Sequence, residues 1–147
     1  MNEKTKVMYN LARMYEYVRD IDDLCEKNNY DIDRILSNKI NRYAINMCIV
    51  QIGEHAKRIK AFDMQLYYDQ NLSFYQIKGM RDRITHSYGE IDYSIVKDVL
   101  QTGIPGLKIY LENELPMELL QNPYALYEEE YEDVLERLEK EEELEMY

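Results

Sequence analysis

Ile40-Asn41-Arg42-Tyr43-Ala44-Ile45-Asn46-Met47-Cys48-Ile49-Val50-Gln51-Ile52-Gly53-Glu54-His55-Ala56-Lys57-Arg58-Ile59 carries two apolar stripes rather than one. Ile45, Ile49, Ile52, Ala56 and Ile59 recur at alternating spacings of four and three, which draws one line along an α-helix; Ile40, Tyr43, Ala44, Met47 and Cys48 draw a second. A helix apolar on two faces is either wrapped by its neighbours or packs inside its domain on one side and against a second subunit on the other. Gly53 sits in mid-helix, where glycine costs about 1 kcal/mol relative to alanine. A close approach by a neighbouring helix is a sufficient reason for it, ahead of a ligand.

The same helical period extends in both directions. Upstream, Val7, Leu11, Met14, Val18, Ile21 and Cys25 predict a helix from Thr5 to Glu26, ended by Asn28-Asn29. Asp31 is placed to cap a short helix, Ile32 to Ser37. Downstream, residues 61–72 are polar and Tyr-rich and read as a loop. Ser73 and Gln76 make an S-x-x-Q capping box. The helix it opens has Phe74, Ile77 and Ile84 as its core face and Gly89 as its stop. Asp92 caps a helix bearing Ile95, Val96, Val99 and Leu100. Pro105, within Thr102-Gly103-Ile104-Pro105-Gly106, predicts a kink or break before the helix resumes through Leu107, Leu111 and Leu115. No segment alternates with period two. The expectation is an all-α, up-and-down four-helix bundle over residues 1–116, followed by an acidic, Tyr-rich extension over 117–147. In that extension Tyr124, Tyr127, Tyr131, Val134, Leu135 and Leu138 keep a helical stripe.

Composition agrees with one globular unit. The chain has 147 residues, 46% apolar and 32% charged, with only five Gly and three Pro, which argues against disorder, linkers and turn-rich β folds. No run of about eighteen apolar residues offers a membrane span. The first residues lead into no signal-type apolar region, so a cytoplasmic protein is expected. Cys25 and Cys48 are too few and too widely spaced for a disulfide framework and read as small core residues. The net charge is −11, but Glu128–Tyr147 holds eleven acidic residues against Arg137 and Lys140, a net of −9, leaving −2 on residues 1–127. A nearly neutral body does not exclude a polyanionic partner.

Only two histidines are present. His55, beside Lys57 and Arg58, reads as structural. His86 belongs to Gly79-Met80-Arg81-Asp82-Arg83-Ile84-Thr85-His86-Ser87-Tyr88. An imidazole there can take a proton from a 2′-hydroxyl or return one to a leaving oxygen. A guanidinium can fork two phosphate oxygens. A phenol can stack on a base. This set suits phosphodiester chemistry without a metal; the competing reading is a group of exposed charges on a solvated face. Arg81 and Tyr88 project within about 20° of each other on a regular helix, but Arg81 and His86 stand about 140° apart. Either the helix unwinds near Thr85–His86, or a second copy of the chain completes the site.

The blocks Gln51-Ile52-Gly53-Glu54-His55-Ala56-Lys57-Arg58-Ile59, Ile77 to Tyr88 and Ile91-Asp92 resemble the HepT-like branch of the HEPN superfamily in order and spacing, over residues 5–115. The Arg-x4-His-x-Tyr signature falls on Arg81, His86 and Tyr88. The resemblance implies an all-α homodimer with no cofactor: a metal-independent ribonuclease toxin whose Arg81 and His86 meet in a cleft at the dimer interface. It further implies inhibition by a minimal nucleotidyltransferase antitoxin, which in some members adenylylates the motif tyrosine, here Tyr88. Asp82 stands where the family often has Asn; it could orient Arg81 or His86, or repel a phosphate. Asp82 and Arg83 are expected as supporting, RNA-contacting residues.

Two other readings compete with a ribonuclease: a non-catalytic module that binds a nucleotidyltransferase or a nucleotide, and a purely structural helical dimer. The acidic extension could imitate RNA at the cleft, dock through its Tyr127/Tyr131/Val134/Leu138 stripe, or simply keep the chain soluble.

Overall fold

The first turn is capped by Asn2, whose side chain accepts from the Thr5 amide at 2.8 Å. The computed structural model describes residues 2–86, 90–122, 140 and 143–144. From this cap α1 runs Glu3–Lys27. Asn29 and Tyr30, both at positive φ, turn the chain, and Asp31 accepts from Arg34 N at 3.1 Å to open α2, Ile32–Ser37. Asn38 does the same for Asn41 N at 3.0 Å and starts the central α3, Lys39–Phe62. The short α4, Met64–Tyr67, and then α5, Phe74–His86, follow. Asp92 caps α6, Tyr93–Asp98, accepting from the Ser94 amide and hydroxyl.

After α6 the helix does not break at Pro105. One π-type turn, Val99–Gly103, leads directly into α7, Ile104–Glu114, with Ile104 N–H donating to Val99 O. Proline cannot donate and crowds the carbonyl four residues back. Widening the turn just upstream absorbs both effects, so a π turn stands where a kink or break was expected. Pro116 ends this rod, and α8, Met117–Gln121, folds back so that Leu119 reaches the core.

The long rods therefore number four among the described residues: α1, α3, α5 and the α6–π–α7 unit. They form the all-α bundle expected, with no strand among those residues. The central α3 packs against α1 on one side and α5 on the other, and α7 returns to α1. Ile45, Ile49, Ile52, Ala56 and Ile59 are fully buried along this axis, each isoleucine contributing about 1.5–3 kcal/mol of transfer free energy. Lys108 to Asp22 at 2.9 Å and Tyr15 to Glu112 at 3.2 Å tie α7 to α1.

The second stripe of α3 behaves differently. Ile40 and Met47 are 71% and 59% exposed, and Tyr43 and Ala44 are also exposed. Cys48 of the same stripe is partly buried against the core.

Two local expectations are corrected. Residues 61–72 are not all loop: α3 continues to Phe62, where Lys6 Nζ lies 4.9 Å from the ring centre, and Asp63 caps α4 by accepting from Leu66 N at 2.9 Å. Ser73 enters α5 at φ 49, in the left-handed region rather than the extended backbone of a capping box. Its side chain instead lies against Gly103 of the π turn. Gly89 and the acidic stripe from Tyr124 lie outside the described residues.

Candidate active site

The site is built where α5 crosses α3. A Cβ placed on Gly53 would overlap Arg81 Cβ and stand 2.9 Å from Arg81 Cγ and 3.3 Å from Ile77 O. Gly53 is therefore the close-approach residue the sequence suggested, and what approaches is the stem of Arg81 itself. Glu54, the next residue on α3, pairs with the Arg81 guanidinium. Asp82 Oδ1 accepts from Arg81 Nη1 at 2.8 Å, and Asp82 Oδ2 accepts from Lys78 Nζ at 2.6 Å. Lys78, Arg81, Asp82 and Glu54 form one alternating ion-pair network on the α3–α5 surface.

The network polarises its members. The Lys78 and Arg81 hydrogen bonds hold the Asp82 carboxyl below the usual carboxylate range, and Asp82 in turn raises both Lys78 and Arg81. Asp82 thus orients Arg81. Arg81 Nε is buried and makes no hydrogen bond, so the fork is held by its two terminal nitrogens.

His86 closes α5 and is exposed. The helix stays α-helical from Phe74 to His86, so the first of the two geometric options, unwinding at Thr85–His86, does not occur up to His86. Thr85 caps back onto the Arg81 and Asp82 carbonyls at 3.0 and 3.1 Å. Arg81 and His86 consequently stay on different flanks of one chain, about 140° apart around the axis. Arg83 is exposed, between a cavity beside Gly79 and a second one lined by Ile91 and Asp92. Tyr88 and Ser87 lie outside the described residues.

His55 is structural, as its surroundings in the sequence predicted. It is 4% exposed in the α1–α3 seam, with Nδ1 2.9 Å from Asn10 Oδ1, while Asn10 Nδ2 donates to Lys6 O at 2.8 Å. Because the amide oxygen accepts, Nδ1 carries the proton. Burial first, and then the Arg58 and Arg13 charges, push this imidazole down to about 4. It is neutral near pH 7, and its burial keeps it from any RNA. Cys25 and Cys48 are free thiols, and burial raises both, Cys48 to about 11, which keeps them from acting as thiolates. Among the described residues no group of three or more His, Cys, Asp or Glu is arranged to hold a metal ion, and no helix is long and apolar enough to cross a membrane.

Sequence reasoning missed Glu54 and Lys78 as partners of the motif. The signals were present: an acid directly after the close-approach glycine, and a Lys four residues before Asp82 on one helix face.

Residues 14–114 match the family described as ribonuclease HepT-like. Two relatives in Methanocaldococcus jannaschii, the candidate RNases MJ1216 and MJ0125, are each 30% identical over 98 residues, covering 66% of this chain and 79% and 83% of theirs. A third, the candidate RNase MJ1380, is 24% identical over 102 residues, covering 69% of this chain and 92% of its own. No solved structure matches the chain significantly. With most of the bundle inside the match, and with Gly53, Glu54, Arg81 and His86 all within it, the chain belongs to the HepT-like ribonuclease family.

Proposed function

We propose that the protein is a metal-independent endoribonuclease toxin that works as a homodimer. The supporting observation is the preset Arg81 guanidinium, held by Glu54 and Asp82 one helical turn and a half from the exposed His86. Arg81 clamps the scissile phosphate and stabilises the charge that builds on its oxygens. His86 carries the proton: the 2′-hydroxyl loses it, the 2′-oxygen attacks phosphorus, the P–O5′ bond breaks and the 5′-oxygen leaves protonated. Because α5 separates the two side chains, the cleft takes them from two copies of the chain. The exposed Ile40/Ala44/Met47 face of α3 supports such pairing. Arg83 contacts RNA, and Asp82 positions Arg81. A minimal nucleotidyltransferase antitoxin neutralises the toxin, with Tyr88 as the residue it adenylylates.

His86→Ala and Arg81→Ala are each expected to abolish cleavage of RNA and growth arrest while the dimer stays folded. A loss of at least 100-fold fits removal of a general acid–base or of an oxyanion clamp. Full cleavage by His86→Ala overturns the proposal.

One observation favours the alternative of a non-catalytic module that binds a nucleotidyltransferase or a nucleotide: Arg81 is already neutralised by two carboxylates. That reading expects no cleavage by partner-free protein, and addition of the antitoxin to change nothing but complex formation.

A further inference from the structure

Beside the ion-pair network, α3, α4, α5 and α6 line an open cleft of about 390 Å³, within the range of small-ligand sites, roughly 300–1,000 Å³. Its walls include Lys60, Tyr67, Tyr75, Gly79 and Arg83. Three tyrosine rings cluster at one end: Tyr67 to Tyr68 at 4.8 Å, Tyr68 to Tyr75 at 6.2 Å and Tyr67 to Tyr75 at 6.5 Å. Tyr67 is buried, but Tyr68 and Tyr75 are 49% and 65% exposed. Lys60 Nζ lies 5.4 and 5.6 Å from the Tyr67 and Tyr68 ring centres.

Gly79 is the unexplained member. It lies inside α5, where glycine costs about 1 kcal/mol against alanine. Unlike Gly53, it makes room for nothing among the described residues: a Cβ there would meet none of their atoms within 4 Å. The bare backbone at Gly79 instead faces the cavity. Exposed rings, flanking cations and a stretch of helix without a side chain are the ingredients of a base-stacking platform with phosphate contacts. Of the two carboxylates on the wall, Asp82 is already bonded to Lys78 and Arg81, which leaves Asp98 as an acceptor for a base amino group.

We propose that this cavity is a subsite for one nucleotide of single-stranded RNA, with the base lying on Tyr75 over Gly79 and the flanking phosphates on Lys60 and Arg83. The inference rests on the ribonuclease reading and adds to it a single-stranded substrate gripped beside the Lys78–Asp82–Arg81 network. The charged wall fits RNA better than the apolar flank of a sister helix.

The test uses the full chain and a fluorescent single-stranded RNA whose 2′-hydroxyls are O-methylated, so that binding is read without cleavage. Gly79→Ala and Gly106→Ala are both expected to raise the melting temperature by about 2–4 °C, since a Cβ at Gly106 also meets nothing within 4 Å. Only Gly79→Ala is expected to weaken the RNA, by about tenfold or more. Tyr75→Ala does the same and Tyr75→Phe retains binding, because a ring is all that stacking needs. Unchanged affinity in both Gly79→Ala and Tyr75→Ala overturns the subsite while leaving the ribonuclease reading intact, and so does no binding by the parent when that parent cleaves unmodified RNA. Affinity lost only together with the dimer, measured by sedimentation, assigns the face to a chain–chain contact and also overturns it. Binding that follows the expected pattern, with no cleavage of unmodified RNA, supports the subsite and overturns the ribonuclease reading instead.

Discussion

At Arg81 the chain solves a positioning problem with a missing side chain. Gly53 lets the Arg81 stem lie directly on α3, and Glu54 and Asp82 then hold the guanidinium. Gly53→Ala should therefore be worse than its helix propensity predicts. Gaining a methyl would raise helix stability, but the overlap with Arg81 Cβ forces α5 outward, an overpacking cost of about 1–3 kcal/mol. Urea denaturation should show the loss, and RNA cleavage should fall with it because Arg81 moves. A stabilised Gly53→Ala variant would contradict the close-approach account. The glycine's purpose was legible in the sequence because a glycine in mid-helix asks for a close approach, whereas Arg81 and His86 stand out through the family motif, and their roles are the proposal made above. The carboxylate hold on Arg81 was legible only in part. Asp82 was ambiguous between orienting and repelling, and its bond to Arg81 Nη1, with Lys78 on its second oxygen, supports orienting.

At the scale of the helices, the α1–α3 seam carries a buried imidazole whose charge state couples to folding. His55 titrates near 6.5 when unfolded and near 4 when folded. The unfolded chain therefore binds the extra proton between those values, and stability falls as pH drops from about 6.5 towards 4. The loss reaches about 3 kcal/mol, because each tenfold difference in proton affinity between the two states is worth about 1.4 kcal/mol. Denaturation of the parent and of His55→Gln across this range should show a steeper decline in the parent; parallel curves would contradict the seam's description. Helix boundaries set by local side chains, such as the Asp31 and Asp92 caps, were readable in advance because each acts within one turn. The α4 turn was not, since four residues show no period and Tyr67 is buried by tertiary contacts. Ser73 likewise answers to Gly103, thirty positions away in sequence, rather than to its own capping pattern.

For the whole molecule, one stripe of α3 fills the core, while Ile40, Tyr43, Ala44 and Met47 of the other are exposed. Met47→Glu, on the open face, should leave helix content unchanged, convert a dimer to a monomer in sedimentation velocity and abolish RNA cleavage. A monomeric variant with full activity would separate the face from the function. The central claim is that α5 keeps Arg81 and His86 apart in each chain, so that only two copies together make a cleft. Co-expression of Arg81→Ala with His86→Ala, each inactive alone, measures this directly. Mixed dimers keep one intact Arg81 and one intact His86 on opposite chains, and purified mixed dimers are predicted to regain RNA cleavage; mixed dimers as inactive as either variant alone would contradict it.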